Sequence, residues 1–195
     1  MEVYNFTERD WSSVIALGNK VNGENYLNFR EIEKVFFKGL DRGLNCSYVA
    51  YEGERSKGGK LIGYRLTYAP RNWEVDKWCT VDAWGVPPEK VAYLKSIAVE
   101  EDYRKQGIGI KLLNKSIETV RQMGGVAAVT HIWIDSPGGG AMKYFAKAGG
   151  HFIKEHKNKW LEDCITSDYR CVHHGDYCTC SAAEMILYFG EQENE

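Results

Sequence analysis

Several things are scarce in this chain of 195 residues, and each shortage narrows its function. Proline occurs 4 times, and no apolar run approaches the ~20 residues that a membrane-spanning helix needs. Neither a proline-rich extended segment nor a membrane helix is therefore expected. Charge of one sign is also missing, since 25 Lys and Arg face 27 Asp and Glu for a formal net charge of −2. That balance gives no general pull toward nucleic acid or an anionic membrane, although a local basic patch remains compatible with it. The opening stretch from Met1 to Asp10 has neither the basic nor the apolar region of a secretory signal. A cytosolic chain with its six cysteines reduced is expected. Internal repeats and linker-like stretches are absent too, so one domain over 1–195 is expected, long enough for a sizeable core.

What the chain does have is a strand, a glycine turn and an amphipathic helix in succession. Tyr93 to Val99 reads as the strand, Arg104-Lys-Gln-Gly107-Ile-Gly109 as the turn, and Ile110 to Val120 as the helix. Ile110, Leu113, Ile117 and Val120 share one helical face, and Gly124-Gly125 stops the helix. A glycine turn that opens a helix aims several backbone N–H groups at one point, at the positive end of the helix dipole. Gly107 and Gly109 leave room for an anion to approach, and Arg104 and Lys105 add charge suited to a pyrophosphate.

Before this motif, Glu2 to Phe6 reads as a strand, and Asp10 can cap a helix that turns Trp11, Val14, Ile15 and Leu17 inward. Asn22 to Asn25 is a loop. Phe29 to Leu40 forms a second helix with Phe29, Ile32, Val35 and Phe36 on one face. Cys46 to Tyr51 and Leu61 to Tyr68 are strands joined by the polar hairpin Gly53 to Lys60. After it come a strand from Ala127 to Ile134, a helix with Ala141, Tyr144 and Phe145, a further strand, and a last strand ending at Phe189. The residues after Gly190 form a short acidic tail.

Arg104 to Gly109, between Leu94–Val99 and Leu112-Leu113, resembles the acyl-coenzyme A motif of the GNAT N-acetyltransferase superfamily. The likeness runs over roughly residues 90 to 155. It implies an α/β (α+β) GNAT fold, with a central mixed, mostly antiparallel sheet of about seven strands flanked by helices. The sheet should splay between the fourth and fifth strands, at Leu94–Val99 and Val129–Ile134. It further implies acetyl-CoA as co-substrate and direct attack by an amine acceptor in a ternary complex. The pantetheine arm would bond to the backbone of Ile97, Ala98 and Val99, and the pyrophosphate would sit on Arg104, Lys105, Gln106, Gly107, Ile108, Gly109 and Ile110. The motif says almost nothing about the acceptor. A GNAT-fold enzyme that modifies a nucleobase, and an acyl-CoA-binding module without catalysis, are the competing readings. A monomer or a homodimer fits equally.

The acid and base follow from what acyl transfer requires. Many members of the superfamily carry a tyrosine four residues before the glycine that ends the last helix. Counted from Gly149 that place holds Phe145, and the tyrosine stands one position earlier, at Tyr144. One position is a turn of ~100° about the helix axis. Either the glycines Gly138 to Gly140 shift the helix so that Tyr144 acts as the acid, or another donor serves, or the thiolate leaves unassisted. For the base, strand alternation puts His131, Trp133 and Asp135 on one face. His131 titrates in a suitable range. Asp135 stands where the splay should lie, with capping of the helix that begins near Pro137 as its structural role.

Two segments exceed the needs of such a fold. Residues 69–91 hold Trp73, Trp78 and Trp84 and are long for a hairpin connection. They can wall a substrate pocket, form a satellite core or make a dimer contact. Residues 161–182 concentrate four of the six cysteines, Cys164, Cys171, Cys178 and Cys180, with His173 and His174. Thiolates and imidazoles on one loop suit tetrahedral zinc. The four cysteines suffice, and His173 or His174 can replace one of them. An open site would suit iron or catalytic zinc, and free thiols or disulfides are the alternatives.

Overall fold

The computed structural model describes residues 1–136 and 140–190. Pro137, Gly138 and Gly139, part of the expected helix start, and the acidic tail from 191 on lie outside the described residues.

Seven strands make the central sheet: β1 (Glu2–Asn5), β2 (Tyr48–Glu52), β3 (Lys60–Tyr68), β4 (Val91–Val99), β5 (Ala127–Trp133), β6 (His151–His156) and β7 (Ala182–Tyr188). Their order is β1-β2-β3-β4-β5-β7-β6, and every neighbouring pair is antiparallel except β4 with β5. Five helices accompany them: α1 (Trp11–Asn22), α2 (Phe29–Lys38), α3 (Ile108–Gln122), α4 (Gly140–Lys147) and α5 (Leu161–Thr166). The expected mixed, mostly antiparallel sheet flanked by helices is the one found.

Helices α1 and α2 cover one face of the first strands. Val14, Leu17, Ile32 and Val35 bury there against Val49, Tyr64 and Leu66. Asn28 caps α2, its side chain accepting the Glu31 N–H at 2.9 Å. Phe29 points outward, 63% exposed, because it is the first helical residue and the inward face begins at Ile32. Asp10 does not cap α1. It is wholly buried, accepting the Thr7 N–H and the Tyr51 hydroxyl and pairing with Arg55 at 3.1 Å.

Helices α3 and α4 cover the other face, where Leu113, Val120 and Phe145 pack on Leu94, Ala128, Ala183 and Met185. Helix α3 starts two residues earlier than its apolar pattern suggests. Ile108 is therefore buried, while Ile110 lies at the surface, 37% exposed.

Strands β4 and β5 pair only from Val91–Ala127 to Tyr93–Val129. The Thr130 hydroxyl makes one more link, donating to the Leu94 carbonyl at 2.9 Å. Beyond it the strands part. A bulge in the β3–β4 pairing falls at this level, with Leu66 opposite Ser96 but Thr67 opposite Leu94, so that Lys95 is the extra residue.

Candidate active site

The gap between β4 and β5 opens into a cleft of about 1320 Å³. Ile97, Ala98 and Val99 line it, as do Arg104, Lys105, Gly107, Ile108, Gly109 and Ile110. Beyond Leu94 β4 stays paired with β3 but has lost β5, and the backbone polar groups of that freed edge face the cleft. Gly107 sits at φ 79°, the left-handed region that favours glycine, and caps α3. The first N–H groups of α3 have no partner within the helix and face the same space. Gln106 is the exception. It does not line the cleft, because its side chain turns back to donate to the Asp102 carbonyl at 3.0 Å. Arg104 braces the strand end, its Nε donating to the Val99 carbonyl at 3.1 Å.

Tyr144 projects from α4 across the cleft toward the start of α3. Its hydroxyl donates to the Gly109 carbonyl at 3.0 Å and accepts from the Arg65 guanidinium at 3.1 Å. Phe145, one position on, turns into the core and is 1% exposed. Tyr144, not the residue at the usual tyrosine position, is thus the phenol that α4 presents to the cleft. Arg65 was not among the expected site residues. It is 3% exposed, its Nε has no hydrogen-bond partner, and no carboxylate pairs with it among the described residues. A charged residue inside the otherwise apolar run Leu61–Leu66 is the signal that could have found it.

His131 lines the cleft from β5. Its Nε2–H donates to the Trp78 carbonyl at 2.7 Å, which leaves Nδ1 to accept the Tyr93 hydroxyl at 3.1 Å. Burial, and then the nearby Lys159 ammonium, push its pKa down to about 4. The ring is neutral at neutral pH, and although it lines the cleft both of its nitrogens are engaged, by Trp78 and by Tyr93. Asp135 does not line the cleft. It lies in the turn after β5, where its carboxylate accepts the Ser181 N–H at 3.2 Å. That bond anchors the entry to β7.

The far end of the cleft is aromatic and carries lysines, among them Lys38 over the Tyr68 ring at 5.1 Å. Tyr26, Tyr68, Trp73, Trp78 and Tyr93 line it with Lys95 and Lys159. The bulge leaves the Lys95 ammonium 5.5 Å from the centre of the Tyr26 ring. Lys159 lies 5.5 Å from the Trp78 ring, and burial lowers its pKa. Glu74, Asp76 and Asp163 supply carboxylates along the same wall.

The tryptophan-rich segment does two things. Trp84 is wholly buried and forms a satellite core with Val91, Ala127, Val129 and Ile186, while Trp73 and Trp78 face the cleft. Glu184 on β7, also wholly buried, holds the segment down. Its carboxylate accepts the Thr80 N–H at 2.8 Å, the Trp84 indole N–H at 2.9 Å and His156 Nε2–H at 3.0 Å. Burial alone would raise its pKa, but these donors outweigh burial and lower it.

In the loop before β7, Cys171, His174, Cys178 and Cys180 bring one ligand atom each within 4.8 Å of the others. Two of the expected ligands stand apart. His173 packs against Trp133, their ring centres 4.7 Å apart, and it is His174 that turns toward the sulfurs. Cys164, on α5, is buried beside the group but directs its thiol to the Gly175 carbonyl. Burial acts to raise the Cys171 thiol, yet backbone N–H groups of His173 and His174 aimed at the sulfur bring it down to about 7. All six cysteines are free.

A mixed sheet that splays beside a glycine-capped helix, with a phenol facing the gap, defines an acyl-CoA-dependent transferase fold. The acetyltransferase (GNAT) family model matches residues 5–150, and the chain belongs to that family, a family of acyltransferases. The structure is similar to Ard1 from Thermoplasma volcanium, at 14% identity and a TM-score of 0.66, covering 97% of this chain and 98% of that one. It is also similar to Chaetomium thermophilum Naa20 in complex with a bisubstrate analogue, at 13% identity and a TM-score of 0.67, covering 97% and 87%. A third likeness is to yncA, a putative acetyltransferase from Salmonella typhimurium with its cofactor acetyl-CoA, at 14% identity and a TM-score of 0.66, covering 98% and 95%. No curated protein matches the chain in sequence. Among the described residues no helix is long and apolar enough to cross a membrane.

Proposed function

We propose that the chain, as a single domain over 1–195, is an N-acetyltransferase that moves the acetyl group of acetyl-CoA to an amine by direct attack in a ternary complex. The observation that carries this reading is Tyr144. It stands across the β4–β5 splay from the free β4 backbone, with its hydroxyl at the start of α3. The pantetheine arm would lie along Ile97 to Val99, with the pyrophosphate on the N–H groups from Gly107 to Ile110. A backbone N–H of β4 would polarise the thioester carbonyl. As the amine attacks, the C–S bond breaks and the sulfur takes a proton from Tyr144, whose hydroxyl the Arg65 guanidinium holds in place. The amine proton leaves to water in the open cleft, while His131, kept neutral by burial and the Lys159 charge, accepts the Tyr93 hydroxyl and so orients that ring at the amine side.

The acceptor would lie between Tyr26 and Trp78. Lys95 and Lys159 favour an acceptor with an anionic group near its amine, and the aromatic rings favour a flat one. That wall also suits the second reading, a nucleobase acceptor, but Glu74, Asp76 and Asp163 beside it would repel a phosphate backbone. A cytosolic monomer or homodimer goes with either reading. The test is calorimetry with acetyl-CoA, followed by thiol release over a panel of amino acids, peptide N-termini, polyamines and nucleosides. Acetyl-CoA binding with thiol release for at least one amine is expected. Binding without release across the panel would leave a binding module.

A further inference from the structure

The geometry points to a structural zinc site in the loop before β7, ligated by Cys171 Sγ, His174 Nδ1, Cys178 Sγ and Cys180 Sγ. Zinc–sulfur bonds of about 2.3 Å and a zinc–nitrogen bond of about 2.0 Å put tetrahedral ligand atoms about 3.5–3.8 Å apart. Cys171 and Cys180 Sγ are 3.8 Å apart, and His174 Nδ1 is 3.3 Å from Cys180 Sγ and 3.9 Å from Cys171 Sγ. These three edges lie close to those of such a tetrahedron, and Cys178 Sγ lies within 4.8 Å of each of the other three atoms. A disulfide would need sulfurs about 2.05 Å apart. Hydrogen bonding alone is a poor account of three buried thiols that face one another and one imidazole.

The backbone is shaped for it. Cys171 and Gly175 exchange N–H···O bonds of 2.8 and 2.9 Å, closing a tight loop that carries His174 back over the sulfurs. Cys171 N–H acts in that closure, while the following N–H groups of His173 and His174 point at its sulfur. Such donors stabilise a bound thiolate. With four protein ligands no position is left for water, so the site is closed and structural.

The metal would fasten three pieces together. Residues Arg170 and Cys171 pair with Glu24 and Gly23, and Gly23 is required there, because a Cβ would stand 2.1 Å from the Arg170 carbonyl. Tyr169 donates to the Asn22 carbonyl at 3.0 Å and its ring packs edge-on against Tyr26. At the other end, Cys180 precedes Ser181, whose carbonyl accepts the Ile134 N–H. The metal therefore holds the end of α1 and Tyr26 against the start of β7.

Elemental analysis of the full chain purified without added metal should find about one zinc per chain. Exchange with cobalt(II) should give the intense visible bands of a tetrahedral thiolate site. His174→Ala and Cys180→Ser should lower metal content well below half, and His173→Ala and Cys164→Ser should leave it unchanged. Hydrogen exchange of the amides from Gly23 to Tyr26 should quicken by tenfold or more on chelation. These readouts do not involve acetyl transfer, so their failure is distinct from failure of the enzymatic reading. Wild-type protein that refolds metal-free with native-state titration of these thiols overturns the site. Metal lost from His173→Ala but retained by His174→Ala overturns the ligand set.

Discussion

Arg65 and Tyr144 lie 79 positions apart in sequence, on a strand and a helix, yet the guanidinium donates to the phenol at 3.1 Å. A buried cation with no carboxylate partner favours whatever negative charge develops beside it. In the proposed reaction that charge is on the departing sulfur. Tyr144→Phe is expected to lower turnover on the order of 10²-fold or more while acetyl-CoA affinity changes little. Arg65→Met should act in the same direction, and the double variant should cost little beyond Tyr144→Phe alone, because the two act as one unit. Steady-state rates beside calorimetric affinities decide it. An undiminished rate for Tyr144→Phe assigns the ring to packing.

Gly109 lines the cleft where α3 begins. A Cβ built there would stand 3.3 Å from Ile97 Cδ1 and 3.5 Å from the Tyr144 ring. Gly109→Ala should therefore be tolerated with slight weakening of acetyl-CoA binding. Gly109→Trp should abolish binding with far-ultraviolet circular dichroism near that of the wild type. Unchanged calorimetric affinity of the tryptophan variant would remove the glycine turn from the cofactor site.

His131 gives the pH dependence a defined window. Its folded pKa lies at about 4, below the ordinary 6.5, because burial and Lys159 oppose the charged form while Glu184 and Asp76 pull weakly the other way. Between pH 6.5 and 4 the unfolded chain binds a proton that the folded chain does not, so stability falls as the pH falls through that range. The loss between pH 7.5 and pH 5 should be about 2 kcal/mol from this residue. His131→Asn should be less stable at pH 7.5 but should lack this part of the slope. Urea denaturation at the two pH values measures it, and parallel slopes would show that His131 does not carry the effect.

How much could be read beforehand depended on whether a residue's role is local. The order of the sheet strands and of α1 to α4 and the glycine turn are written in apolar spacing and in Gly107 and Gly109, so they were legible, whereas the splay came only with the family resemblance and α5 lies in a segment that reads as loop. Asp10 was misread because a capping aspartate and a buried one look alike until Arg55 and Tyr51 arrive from 41 to 45 positions away. His173 and His174 are adjacent, and which one faces the sulfurs depends on a loop closed by Gly175, not on composition. Lys95 needed the bulge, and a bulge leaves no clear mark in a single sequence. Arg65 and Glu184 did leave one, as lone charges in strands that otherwise read as buried.

Glu184 joins the tryptophan segment to the sheet, and its removal tests whether that segment shapes the proposed acceptor site or only covers the sheet. Its carboxylate accepts from Thr80, Trp84 and His156, and all of it is buried. Glu184→Ala leaves these donors without a partner and should cost on the order of 3–5 kcal/mol. Glu184→Gln keeps the shape and one acceptor, but its amide sets two donors among groups that also donate. It should cost less than the alanine variant and fold at 25 °C. Because the donors lower the Glu184 pKa, its contribution is present above the unfolded value near 4.5 and is lost below it, a lower window than that of His131. Trp78 supplies the carbonyl that orients His131 and also lines the acceptor end, so a loosened segment should disturb the acceptor before the cofactor. For Glu184→Gln the acceptor KM should rise several-fold, with the acetyl-CoA affinity near that of the wild type, and tryptophan emission should shift to the red. A variant with lowered stability but an unchanged acceptor KM would show that residues 69–91 cover the sheet without shaping the acceptor site.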